Sequence, residues 1–334
     1  RVILPGESFS DFKEGEILAG RGDKIRAVLE EFFASPEVLG ASNLCSQICR
    51  INYKLWPRLF HAAHGAPSFS ASKVPNLVYL DIETLVGELL LRHHLKNPQS
   101  LIYQLLFEPK YRPLILKHFN NLSGSFSLEK GWGTYLFWGL DEKMYRLQMK
   151  LEGETLVSPD GVRNVPWTPE ALWEAIDTRK IFPSMFLCYV IVALYSGMKC
   201  LGGFCQVHDL TVIKEAWKNF LLEIGQPSEA ASFTDIQTKE LGGDGMVLAY
   251  MKTQDGGVVP ATGIDMLLSD DDTSFERYAA LSERVTLREL MNSLLPEMYV
   301  VLSALAERNP AWATMKPEDV LRATGVEGKL LEAM

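Results

Sequence analysis

Residues Ile181 to Tyr195 are the most apolar stretch of this 334-residue chain, and they constrain the fold more than any other segment. The run is too short to span a bilayer, which needs about 20 apolar residues. Ser184 and Cys188 interrupt it, and Ser196 comes directly after it. A segment apolar on nearly every face belongs inside a protein core, so the run predicts a buried helix. With 47% hydrophobic and 22% charged residues, the chain has ordinary globular composition and enough length to bury such a helix without disulfide staples.

The segment after the run is chemically dense. Lys199, Cys200, Gly202, Gly203, Cys205, Gln206, His208 and Asp209 all fall between Gly197 and Leu210. Cys205 and His208 are three apart and share a face if the segment turns helically. A thiol beside an imidazole can form a thiolate that attacks a carbonyl carbon. Asp209 could orient the imidazole, and Gly202 and Gly203 allow backbone N–H groups to point at a developing oxyanion. Lys199, Gln206 and Asp265 are the candidate substrate contacts, Asp265 because it ends a strand-like run after Gly263. The opposing interpretation is that the cysteines are small core residues and the glycines only let the chain reverse.

The histidines supply a second pattern. His61 and His64, spaced i and i+3, could join His208 or a carboxylate in a three-ligand metal site. Asp81 and Glu83 alternate along a possible strand. His93 and His94 are adjacent and so point in different directions on a helix.

Several classes find no support. No phosphate-binding GxxxxGK[ST], no GxGxxG opening a helix, no GxSxG and no HExxH occur. The five cysteines form no CxxC pair, which argues against zinc ribbons and points to a reduced cytoplasmic protein with buried thiols. A net charge of -9 and a pI near 5.3 disfavour nucleic acid as a partner. The chain begins at Arg1 rather than Met, compatible with a start lying upstream.

Periodicity predicts an α+β fold, predominantly helical, with an antiparallel sheet built from hairpins. The coarse division is a helical part over 1–122 and an α+β part over 123–334, packed as one body. Thr134–Trp138 and Met144–Leu151 read as a hairpin around Gly139–Lys143. Asn97-Pro98 reads as a helix start, Thr168-Pro169 as another, and Thr286 to Glu289 as a capping box. Pro296 must kink or split the helix opened by that box. The leading functional expectation is an enzyme acting on a small-molecule substrate by group or acyl transfer through Cys205, His208 and Asp209. The alternatives are a non-catalytic ligand- or partner-binding protein, and a metal-dependent oxygenase or hydrolase using His61 and His64. No cofactor is named by any motif.

Overall fold

The computed structural model describes residues 26–27, 29–58, 76–143, 145–240, 247, 249–252, 257–261, 274–303 and 305–333. They form a predominantly helical α+β fold with small antiparallel sheets. The chain divides into two compact units, Leu80–Met246 and Arg1–Tyr79 with Val247–Met334.

The second of these units carries helix α1, Leu44–Arg58, in its N-terminal segment. Its C-terminal segment pairs strand β7, Tyr250–Lys252, with β8, Val258–Pro260. Helices α9 (Ser274–Arg284), α10 (Leu287–Met291), α11 (Leu295–Leu302), α12 (Pro317–Ala323) and α13 (Val326–Ala333) come next. Thr286 and Glu289 make the expected reciprocal capping box. Pro296 does split the helix, sitting in the first turn of α11 after a tight turn at Asn292–Leu294. The small core here joins Val247, Tyr250, Val258, Val285, Leu290, Leu321, Val326 and Leu330.

Leu80–Met246 carries the larger core. Helix α2, Ile82–Leu89, starts at Asp81, whose carboxylate accepts from Thr84 N at 3.0 Å. Asp81 and Glu83 are therefore a cap and a first-turn residue, not alternating strand positions. The helix widens into a π turn at Leu90–His94, closed by Leu95 N to Leu90 O at 2.9 Å. Ser100, not Asn97, caps helix α3, Leu101–Phe107. Helix α4 spans Arg112–Phe119.

The hairpin forms, but shorter than expected and with its turn later, because Gly139 and Leu140 are strand residues rather than turn residues. Strand β1, Phe137–Leu140, pairs antiparallel with β2, Arg146–Leu147, in the register Gly139–Leu147. The chain then leaves this sheet. Strands β3 (Lys150–Glu152), β4 (Thr155–Val157) and β5 (Asn164–Pro166) make a separate antiparallel sheet. Helix α5, Pro169–Asp177, is capped by Thr168 as the sequence predicts.

The apolar run is not one helix. Ile181–Pro183 is strand β6, which pairs with β1 and completes a sheet ordered β2-β1-β6. Ser184 then caps helix α6, Met185–Cys188, which passes into a π turn over Tyr189–Tyr195. Pro183 ends the strand because it has no N–H to donate, and the Ser184 hydroxyl accepts from Leu187 N to start the helix. Phe186 through Cys188 and Val190 through Leu194 are buried, whereas Met185 and Tyr195 at the two ends are exposed. Helix α7, Phe204–Glu223, packs Ile213, Trp217, Phe220 and Leu221 into the same core. Helix α8, Pro227–Ser232, turns back against it.

Candidate functional site

Of the chemically dense segment after the apolar run, only the first part is a connector. It runs from Ser196 to Gly203, and α7 begins at Phe204. Cys205, Gln206, His208 and Asp209 thus stand on a helix. Spacings of three and four bring His208 and Asp209 onto the face of Cys205. The core stripe of α7 begins one step further round, at Leu210 and Ile213, so this face is a shoulder at the edge of the core. Cys205 is exposed, and His208 and Asp209 are half-buried.

Asp209 is the fixed member. Its carboxylate accepts from Ser123 Oγ at 2.6 Å, a contact between residues 86 apart in sequence. Gly124 sits against it with φ +75°, and a Cβ there would come within 2.6 Å of Asp209 Cβ. Only glycine meets both demands, the left-handed backbone and the close approach. The loop is stitched internally by Asn121 N to Phe126 O at 2.7 Å and Leu128 N to Asn120 Oδ1 at 2.9 Å. Ser125 Oγ, also in this loop, is buried and has no hydrogen-bond partner.

Tyr189 is near enough to Asp209 to feel its charge. Burial pushes its hydroxyl up to about 12, with the nearby Asp209, Cys200 and Cys188 adding to the rise. It therefore stays protonated as a hydrogen-bond donor. Burial also pushes the Cys200 thiol up, and its S–H points at Met198 O at 3.7 Å. Cys188 is pushed up to about 12 by burial, then by Glu83 and Asp81. Those two thiols are suited to packing, and Cys205 is the open thiol of the shoulder.

The glycines serve packing more than strain. Neither Gly202 nor Gly203 has positive φ. The Gln206 amide fills the space where a Gly202 side chain would lie, which holds the connector against the first turn of α7. Lys199 is ion-paired with Glu240. No hydrogen bond joins Cys205 to His208, so the helix sets them side by side without locking them together. Asp265, His61 and His64 lie outside the described residues. Among the described residues no group of three or more His, Cys, Asp or Glu side chains could hold a metal ion.

His94 behaves as a core histidine. It is buried, its Nδ1 lies 2.7 Å from Ser100 Oγ, and its ring meets Tyr195 edge-on at 5.3 Å. Burial, aided by His93, pulls it down to about 4, so it is neutral near pH 7. His93 beside it is exposed.

Comparison with known proteins adds no assignment. No family model matches the chain, and no curated protein or solved structure matches it. Among the described residues no helix is long and apolar enough to cross a membrane. Ser123, Gly124, Tyr189 and Glu240 are the residues that sequence reasoning misses. Only the Ser-Gly-Ser at 123–125 offers a local signal, and nothing local ties it to Asp209.

Proposed function

We propose that this chain is an enzyme acting on a small carbonyl compound by acyl transfer, with Cys205 as nucleophile and His208 as its base. The observation that carries this reading is the shoulder of α7, where an exposed thiol, an imidazole and a fixed carboxylate share one helix face beside a rigid core. His208 takes the proton from Cys205 Sγ, and the sulfur electron pair forms the S–C bond. The carbonyl π pair moves to oxygen and returns as the leaving group departs with the proton held by His208. The thioester then passes its acyl group to water or to an acceptor nucleophile, which gives up a proton and regenerates the thiol. Lys199 and Gln206 flank the thiol as substrate contacts, and Asp209 is a positioning residue.

p-Nitrophenyl acetate tests this directly. The expected result is stoichiometric acetylation of Cys205, slowed at least about tenfold in His208→Asn, since general-base assistance contributes roughly 10²–10⁴. Acetylation no faster than that of an unstructured thiol, and indifferent to His208, would refute the mechanism.

A second reading, non-catalytic binding of a ligand or partner, is favoured by one feature. Tyr195, Met198 and Leu201 expose apolar surface along the connector. Under that reading Cys205→Ser leaves ligand affinity unchanged, whereas Leu201→Asp weakens it.

A further inference from the structure

We propose that Lys199 is the subsite for a carboxylate of the substrate, and that Glu240 fills it as an internal placeholder. This rests on the acyl-transfer reading and adds a substrate class to it: an acyl compound that also carries a carboxylate.

A strap of chain follows α8. After the turn at 233–235, residues 236–240 run back along α7 toward its first turn. Lys214 Nζ donates to Thr234 O at 2.8 Å and to Ile236 O at 2.7 Å. One turn nearer the N-terminus, Thr211 Oγ1 meets Thr238 Oγ1 at 3.0 Å. Two residues further along, Glu240 pairs with Lys199. The strap thus ends at the Lys199 connector, which Gln206, packed on Gly202, holds against the first turn of α7.

The two lysines that hold the strap differ in kind. Lys214 donates to two backbone carbonyls, which a dissolved anion can replace only by peeling the strap from the helix. Lys199 is paired to a single carboxylate, with both side chains more than a third exposed. Surface pairs of this sort stabilise folds little and exchange readily. A substrate carboxylate can take the place of Glu240 at Lys199 without disturbing the Lys214 and Thr211 contacts. In a chain of net charge -9, a lysine already holding a carboxylate, on the connector that leads into the helix turn of an open thiol, is a ready anchor for a carboxylate substrate.

Two reagents of equal size and different charge read this subsite. Iodoacetate carries a carboxylate and iodoacetamide does not. The measured quantity is the ratio of their alkylation rates at Cys205, iodoacetate over iodoacetamide, quantified by peptide mass analysis at low ionic strength. Glu240→Gln should raise the ratio about two- to threefold, the effect of freeing one cation within a Debye length. Lys199→Gln should lower it, and the double variant should show no gain over wild type. A ratio unchanged in Glu240→Gln, or a rise that survives removal of Lys199, overturns the proposal. Cys205 is exposed, so both rates are measurable whatever its role. An iodoacetamide rate no faster than that of an unstructured thiol counts against acyl transfer, while the ratio still decides the subsite.

Discussion

Leu80–Met246 and the C-terminal segment of the other unit bury different cores. In the first, Phe119 packs against Phe186, Trp217 and Phe220, with ring centroids 4.8 to 6.1 Å apart, around the apolar turns of α6. In the second, aliphatic side chains close around Tyr250, whose hydroxyl donates to Leu290 O and lies 2.7 Å from Ser293 Oγ. The contrast shows where chemistry can be held. Aromatic packing at Trp217 and Phe220 fixes the C-terminal half of α7, and buried Leu210 and Ile213 carry the anchoring toward the first turns, from which the polar residues project. The smaller core uses its buried polar contacts to join its own elements.

Core disruption should separate the two regions most strongly. Val190 is fully buried in the aromatic core, and Leu330 is fully buried in the other. Val190→Asp should cost more than about 4 kcal/mol, because an unpaired buried carboxylate is severely destabilising. Amide hydrogen exchange should then show protection lost across 80–246. Leu330→Asp should strip protection from 285–330 instead. Loss over the same residues in both variants would mean that the cores do not report on separate cooperative regions.

A glycine pair sharpens the comparison inside the larger unit. Gly124 and Gly161 both have positive φ, but only Gly124 has Asp209 where a side chain would go. Gly161→Ala should cost about 1 kcal/mol, the left-handed backbone penalty alone. Gly124→Ala should cost about 2–4 kcal/mol in urea unfolding and release Asp209 from Ser123. Equal costs would mean that this loop does not clamp Asp209.

His94 offers the next effect in size. Its folded value, about 4, lies below the ordinary value of 6.5, so the unfolded chain binds its proton first. Stability from neutral burial is present above pH 6.5 and lost as pH falls toward 4. Between pH 7.5 and pH 5 this group should remove about 2 kcal/mol. His94→Gln should flatten that part of the pH dependence, measured by denaturant midpoints at the two pH values.

The contrast between local and distant contacts also explains how much is legible in the sequence. The helical α+β class, the caps at Thr168 and Thr286, the split at Pro296 and the hairpin turn are all local, set by spacing and by residues with fixed backbone demands. Hydropathy marks the apolar run as buried, but it does not separate strand from helix, and Pro183-Ser184 divides the run. At the site, Cys205, His208 and Asp209 are visible as a cluster, yet Asp209 looks misaligned as long as the segment reads as a connector. On a helix, the i and i+4 spacing puts it beside Cys205. Ser123 reaches Asp209, and Glu240 reaches Lys199, through tertiary packing, which no local pattern encodes.

The central claim is that the shoulder of α7 makes Cys205 different from the other thiols, and a competition among the five cysteines tests it most directly. Native protein is pulsed with iodoacetamide, and each cysteine is quantified by peptide mass analysis in wild type and in His208→Asn. The account predicts that Cys205 labels fastest of the five, faster than exposed Cys45, that Cys188 labels only on unfolding, and that the advantage of Cys205 over Cys45 disappears in His208→Asn. Equal labelling of Cys205 and Cys45, unchanged by the His208 substitution, would contradict it.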